Sequence, residues 1–360
     1  MGVYFITIIL MLMFCWIFTE VSIKENNISK EKLSPVNNEK KGIVFCIFLL
    51  LAFVAAFRYM VGTDFHVYYR TYVYSNKFKE KDFTDPLFTV LAIFADWLFD
   101  GKNGGLTILS AIITVALFVF TIAKRSENMT VSLLLFIFVG CFTGMFNGVR
   151  QYLATGILFA GFHFVKDKKF YKWTLIVLLA SMVHITSILM FFVYFVCNLK
   201  CGFRTSMFYF TIAIVLLFLY EPLFNLVGAL KQEEINTDVA YATRQVNILR
   251  ILVQCVPISL FLFVPKNKIN EDAECKALFN ICLLNAALAV ASINSTYFAR
   301  FFIYTMCFQI LMYPKMLNKM EINIRNILTG LLIFCYTIFW LYEVSNSSSL
   351  NNFQWIFKFL

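Results

Sequence analysis

Apolar runs close to the length that crosses a bilayer recur along this chain. A spanning helix needs about 20 such residues, because lipid leaves its backbone polar groups no partner outside the segment. The runs cover residues 3–18, 42–59, 104–123, 130–146, 151–165, 206–220, 246–264, 276–293, 298–315 and 324–342. Only 14% of the residues are charged, against about 25% in soluble domains.

The sequence therefore predicts an all-α, polytopic helical membrane protein with about ten spans. We expect a single transmembrane domain over residues 1–343, followed by an outer tail over residues 344–360.

Loop charges orient these spans, since short cytoplasmic loops are enriched in Lys and Arg. Residues 20–41 contain five lysines, so this loop is predicted to be cytoplasmic. The amino terminus and a larger loop at about residues 58–103 then lie outside.

Residues 173–198 are apolar, but their centre carries Ser181, His184, Thr186 and Ser187. If this stretch crossed once, the basic loops of the second half would lie outside and the acidic residues 233–238 inside. A hairpin that turns near His184 restores the usual charge pattern. We therefore predict a hairpin that lines a cavity, and a second large outer loop at about residues 221–245.

A polar and aromatic string follows the second span. It runs from Arg58 to Tyr69 and presents Thr63, Asp64, Tyr68 and Tyr69. Aromatic rings cover the apolar face of a sugar, while carboxylates and hydroxyls bond to its hydroxyl groups. This mixture favours a sugar site, although the tyrosines also suit an aromatic belt at the headgroup level.

Several arginines break the positive-inside pattern, among them Arg58, Arg150 and Arg300. An apolar span tolerates Arg where the side chain snorkels to the interface or meets a polar partner. Arg150 is followed by Gln151, and the planar fork of Arg suits phosphate oxygens. We predict that Arg58, Arg150, His184 and Arg300 converge on one outward-open cavity, where His184, otherwise a packing residue, takes part in chemistry.

Several function classes lack sequence support. No P-loop, dinucleotide fingerprint, GxSxG or CxxC motif is present, so nucleotide-driven transport, dehydrogenation and serine hydrolysis are not indicated. The net charge of +10 resides mainly in short loops, which argues against a nucleic-acid partner. Histidines and carboxylates show no metal-ligand spacing, so neither a metal nor another cofactor is expected.

Three pieces of the sequence resemble EpsG-family membrane proteins, the Wzy-like polymerases of bacterial exopolysaccharide and capsule. The first is Arg58-Tyr-x-Val-Gly-Thr-Asp-Phe-x-x-Tyr-Tyr69, and the others are Arg150-Gln151 before an apolar helix and the Ala-Ser-x-x-His string ending at His184. The Asp85-Pro-Leu-Phe88 string and Arg300 with Tyr304 also fit. These pieces keep the family's order over about residues 40 to 310.

The resemblance implies a metal- and nucleotide-independent polymerase in the bacterial plasma membrane. It would join undecaprenyl-pyrophosphate-linked oligosaccharides at the outer face, among membrane lipids and beside a flippase and a chain-length regulator of the same pathway. Arg58, Thr63, Tyr68, Tyr69, Arg150, Gln151 and Arg300 would bind substrate, and Asp64 and His184 are the candidate bases.

Two other functions remain open at this point. A flippase for lipid-linked oligosaccharides would also need a basic cavity, but near the midplane and accessible from both faces. A membrane acyltransferase or ligase that modifies a finished glycan also stays open.

Overall fold

The computed structural model describes residues 1–28, 36–70, 76, 85–231, 246–296 and 298–358, and only the backbone of 24–28, 36–37, 220–231 and 358. The predicted acidic residues 233–238 lie outside this range. The structure also does not describe residues 71–75 and 77–84 of one predicted outer loop, 232–245 of the other outer loop, or 29–35 of the predicted cytoplasmic loop.

The all-α prediction is confirmed, since helices account for nearly all regular structure in the described residues. The chain forms two compact units. Unit 1 contains Met1–Ala160, Leu178–Ile185 and Leu332–Leu360, and unit 2 contains Gly161–Val177 and Thr186–Leu331. The predicted single transmembrane domain stays a prediction.

The helices of the first 161 residues are α1 (Gly2–Ile28), α2 (Val36–Ala56), α3 (Phe65–Tyr69), α4 (Pro86–Leu98), α5 (Gly105–Arg125), α6 (Met129–Phe138), α7 (Cys141–Gly144) and α8 (Val149–Gly161). A two-residue strand β1 (Arg58–Tyr59) follows α2.

The later helices are α9 (His163–Lys166), α10 (Phe170–Ser181), α11 (Val193–Cys197), α12 (Phe203–Lys231), α13 (Ile248–Ser259), α14 (Lys266–Glu271), α15 (Ala273–Ala291), α16 (Ile303–Met306), α17 (Gln309–Leu317), α18 (Ile322–Asn346) and α19 (Ser348–Asn351). Strand β2 (Gln354–Trp355) follows, and 3₁₀ turns occur at Ile185–Phe192, Leu260–Leu262, Phe298–Phe301 and Ile356–Lys358.

Four helices in the described residues are long and apolar enough to cross a membrane: Gly2–Ile23, Gly105–Arg125, Ala273–Ala291 and Ile322–Asn346. Shorter apolar helices include Pro86–Leu98, Met129–Phe138 and Ile248–Leu262. The number of about ten spans stays a prediction.

Some predicted spans are interrupted helices. The predicted span 130–146 breaks between α6 and α7, where Gly140 has a φ of 94°, a conformation that ends a helix and favours glycine. The predicted span 246–264 consists of α13 and a 3₁₀ turn, and Pro257 lies within its last turn. Proline removes a backbone hydrogen bond, so the helix tightens there.

One end of unit 1 gathers both chain termini. The amino group of Met1 donates to the carbonyl oxygen of Asn351 at 3.1 Å, and Arg58 of β1 pairs antiparallel with Trp355 of β2. The lysines Lys40 and Lys41 lie near the opposite end of α2, which is 21 residues long, or about 30 Å. The termini therefore share an end that is remote from these lysines, and the membrane face that this end occupies stays a prediction.

The predicted hairpin is present in residues 173–198. The indole Nε1 of Trp173 donates to the carbonyl oxygen of Met190 at 3.1 Å, and the rings of Phe170 and Tyr194 lie 5.0 Å apart. A continuous helix would separate Trp173 from Met190 by about 25 Å. The chain therefore reverses between α10 and the following 3₁₀ segment, next to His184.

Candidate functional site

A polar cluster in unit 1 is centred on Asp85, which precedes α4. Its backbone is left-handed, with a φ of 53°, and the following Pro86 disfavours a right-handed helical conformation at this residue. Aspartate tolerates the left-handed region better than most residues. The carboxylate makes no capping hydrogen bond to α4, so it is available to side chains from other elements.

Arg150, in the first turn of α8, connects Asp85 to Tyr68. Its Nη1 lies 2.5 Å from Asp85 Oδ2, and its Nε donates to the Tyr68 hydroxyl at 3.2 Å. Asp85 is only 6% exposed, whereas Arg150 is 26% exposed. The guanidinium is therefore held on one side by a buried carboxylate and is partly accessible to a ligand.

The turn that ends α10 brings His184 to the same carboxylate. The Ile185 amide donates to Asp85 Oδ1 at 3.0 Å, and the Leu87 amide donates to the Met182 carbonyl oxygen at 2.8 Å. His184 Nδ1 lies 3.6 Å from Asp85 Oδ2, and the side chain is 18% exposed. This nitrogen is buried and has no hydrogen-bond partner among the described residues.

These neighbours set the charge state of Asp85. Burial raises the pKa of its carboxyl, but the imidazole of His184, the guanidinium of Arg150 and the Ile185 amide together lower it further, to below its ordinary value. Burial raises the pKa of Tyr68, while Arg150 lowers it to a lesser extent. At neutral pH the cluster therefore contains a carboxylate, a cation and a neutral phenol.

Asp64 and Thr63 lie near this cluster. The carboxylate of Asp64 is close enough to Tyr68 to raise the pKa of the phenol. Thr63 donates its hydroxyl to Asp64 Oδ1 at 3.0 Å and its amide to Asn147 Oδ1 at 2.8 Å. Gly62, with a φ of 101°, contacts the backbone of Phe146 so closely that a Cβ atom would not fit.

The other predicted substrate ligands of unit 1 are the partly exposed Tyr69 and the buried Gln151. The ring of Tyr69 stacks on Phe65 with centroids 5.2 Å apart, and its carbonyl oxygen accepts from the Gly104 amide at 2.7 Å. Gln151 is buried in α8 beside Gly148. Their roles in binding substrate stay predictions.

Arg58 is fully buried, with 1% exposure. Its Nη1 donates to the Ala55 carbonyl oxygen and its Nε to the Val61 carbonyl oxygen. The guanidinium lies 4.6 Å from the centre of the Phe146 ring. Arg58 therefore joins the end of α2 to the next turn, a location that favours a structural role over contact with a ligand.

Arg300 belongs to unit 2, where it lies exposed in the 3₁₀ turn Phe298–Phe301. The neighbouring Tyr304 hydroxyl is hydrogen-bonded to that of Thr186 at 2.7 Å. The convergence of Arg300 with Arg58, Arg150 and His184 stays a prediction, because the four residues belong to different units.

The centre of the cluster, Asp85, was not among the predicted site residues. In the sequence, Asp85 stands before a proline at the start of an apolar run. Acidic residues are common at this position of ordinary helices, so the pattern does not indicate a functional site. Asp85 pairs with Arg150 and with the Ile185 amide, which are 65 and 100 residues away in the sequence. A local sequence pattern cannot predict contacts over such separations.

Unit 2 contains an apolar cavity of about 650 Å³. Its lining includes Phe192, Phe195, Phe208, Leu284 and Phe301, with Tyr304 and Thr305 as polar members. Such a surface accommodates a hydrocarbon chain better than a sugar.

The helices and this polar cluster define a polytopic helical membrane protein with an ionic site at one end of unit 1. A sequence model of the EpsG family matches residues 41–357. The chain therefore belongs to the EpsG family, as the motif resemblance predicted. No curated protein and no solved structure matches it.

Among the described residues, no group of three or more His, Cys, Asp and Glu side chains is placed to hold a metal ion.

Proposed function

We propose that this EpsG-family protein is a polysaccharide polymerase that joins oligosaccharide repeat units carried on undecaprenyl pyrophosphate. The acceptor hydroxyl attacks the anomeric carbon of the donor, and lipid pyrophosphate leaves. The observation that carries the proposal is the cluster of Arg150, Asp85, Tyr68 and His184. It combines a fixed, partly exposed guanidinium with a group able to take a proton.

Arg150 suits the pyrophosphate. A guanidinium binds two phosphate oxygens with its planar fork and stabilises the charge that develops on the leaving group. Asp85 and the Tyr68 hydroxyl already fix its orientation. Little reorganisation is then needed when the donor binds.

The arrangement of unit 1 supports action at the outer face of the bacterial plasma membrane. Ser349 near the carboxyl terminus accepts a hydrogen bond from Gly62 at 3.0 Å, so the termini and the Gly62–Asp64 turn share one end. Lys124 and Arg125 end α5, whose opposite end contacts Tyr69. By the positive-inside rule, the basic ends face the cytoplasm and the cluster faces outward.

Deletion of the gene tests the proposal through the lipid-linked glycans that accumulate. A polymerase defect leaves single repeat units on the lipid at the outer face, and complementation with the wild-type gene restores long chains. Repeat units retained at the cytoplasmic face would indicate a flippase. Normal chains that lack a substituent would indicate an acyltransferase or ligase.

A further inference from the structure

The contacts of Asp85 are arranged around the turn that carries His184. One oxygen accepts the Ile185 amide at 3.0 Å, and the other lies 3.6 Å from His184 Nδ1. Because Nδ1 is buried while the side chain is 18% exposed, the exposed part of the imidazole lies away from this nitrogen. Nε2, across the ring, is the nitrogen left for a substrate.

We propose that Asp85 is a positioning residue that makes His184, rather than Asp64, the general base of the polymerase. The inference rests on the proposed function for its chemistry and assigns a role that the sequence left undecided.

The mechanism is the choice of imidazole tautomer. An ionised carboxylate can only accept hydrogen bonds, so Asp85 favours a proton on Nδ1 and leaves Nε2 free to accept one. The separation of 3.6 Å exceeds a good hydrogen bond, but such bonds are often long in a free enzyme and shorten when substrate binds. The low pKa of Asp85 keeps this group ionised.

The reaction step balances without a further reactant. The acceptor oxygen forms a bond to the anomeric carbon, and its proton moves to His184 Nε2. The bond between the anomeric carbon and the phosphate oxygen breaks, and lipid pyrophosphate leaves with the electron pair beside Arg150. The imidazolium then returns its proton to the leaving phosphate or to water.

The groups gathered around Asp85 fit this role. The Asp85 carboxylate lies 3.6 Å from His184 Nδ1, and Arg150 joins the same carboxylate to the Tyr68 hydroxyl. Asp64 instead accepts a hydrogen bond from the hydroxyl of Thr63, an exposed residue. We therefore assign Asp64 to holding a substrate hydroxyl.

Histidine resonances test the inference without an activity assay. The chain has only three histidines, so ¹⁵N-labelled histidine gives few ring signals, and His184→Gln identifies those of His184. We expect the Nδ1–H tautomer in the wild-type protein. An Nε2–H tautomer there overturns the inference even if an Asp85 variant fails to fold.

Asp85→Asn provides the matched comparison. Loss of the carboxylate removes the acceptor that faces Nδ1, so about half or more of the Nδ1–H signal of His184 should move to the Nε2–H tautomer. Asp100→Asn is the control, because Asp100 has the same left-handed backbone, with a φ of 51°, just beyond the other end of α4. An equal response in both variants, or none in Asp85→Asn, overturns the inference.

Reconstituted polymerisation separates the two acids. Asp85→Asn should mainly lower kcat, by about tenfold or more. Asp64→Asn should mainly raise KM. A kcat that falls in Asp64→Asn but not in Asp85→Asn would make Asp64 the base. Wild-type protein that makes no polymer refutes the proposed function, while the histidine measurements still decide the role of Asp85.

Discussion

Two acid-centred clusters, one in each unit, use aspartate in opposite ways. In unit 2, Asp272 caps α15, where its Oδ1 accepts the amides of Glu274 and Cys275 at 3.0 Å each. Its Oδ2 lies 3.1 Å from Lys319 and 3.3 Å from Lys315. In unit 1, Asp85 caps nothing and instead accepts an amide 100 residues away.

The contrast distinguishes an acid that ends a helix from an acid that arranges a site. Glu274 of unit 2 pairs with Lys166 and Lys315, so each carboxylate of that cluster meets cations. Around Asp85 the cluster also contains a buried histidine nitrogen without a hydrogen-bond partner in the described part of the chain. An unpaired buried polar group is costly, and a catalytic role is one of the explanations for such a group in a native structure.

The largest effect that this comparison predicts is on catalysis through unit 1. Arg150→Lys should reduce polymer about a hundredfold, equal to about 3 kcal/mol of transition-state stabilisation, at unchanged protein abundance. Lysine keeps the charge but loses the planar fork. Chain length and yield in cells measure the effect, with the same exchange at the exposed Arg204 as control. Normal polymer from Arg150→Lys would leave no role for a pyrophosphate ligand at this position.

The next largest effect separates structure from ligand binding within unit 1. Arg58→Met should lower the free energy of unfolding by about 2 kcal/mol, because it removes charge-assisted hydrogen bonds to buried carbonyl oxygens. Thermal unfolding in detergent and the amount of folded protein measure this loss. Turnover per folded molecule should fall far less than in Arg150→Lys. Unchanged stability together with lost turnover would restore Arg58 as a ligand.

The sequence identified Arg58 and Arg150 as candidates but could not distinguish their roles. Both break the positive-inside pattern, and composition alone made them equivalent candidates. Arg150 lies beside an accessible acid cluster, whereas Arg58 donates to backbone carbonyl oxygens three residues away in each direction. Burial and backbone acceptors decide between these outcomes, and neither is encoded in charge patterning.

The helical class and the turn near His184 were predictable, because hydropathy and loop charge report on membrane crossing directly. The break at Gly140 and the pairing of Asp85 with Arg150 were not. Both depend on packing between segments distant in sequence.

A smaller effect is expected at the structural acid of unit 2. Asp272→Ala removes a helix cap and should lower the free energy of unfolding by about 1 kcal/mol. Turnover per folded molecule should stay within about twofold of wild type, since an ordinary cap contributes stability rather than chemistry. Denaturation and polymerisation measured on the same sample test this separation. A loss of turnover without a matching loss of stability would show that the unit 2 cluster is also functional. Asp272 and Asp85 would then not differ in the way proposed.

The smallest effect isolates the charge of Asp272. Asparagine caps a helix about as well as aspartate, so Asp272→Asn removes the attraction to Lys315 and Lys319 and keeps the cap. Burial raises the pKa of the Asp272 carboxyl, but the Cys275 amide and these lysines lower it further, to below its ordinary value. The charge therefore stabilises the folded state fully above the unfolded-state pKa of about 3.9, and this contribution is lost as pH falls through the lower folded-state pKa.

The wild-type protein should be more stable than Asp272→Asn at pH 6 to 7, and the difference should vanish in strong acid. Melting temperatures of both proteins across this range measure it. A stability difference that is independent of pH would mean that packing at position 272, rather than the ion pairs, accounts for the contribution.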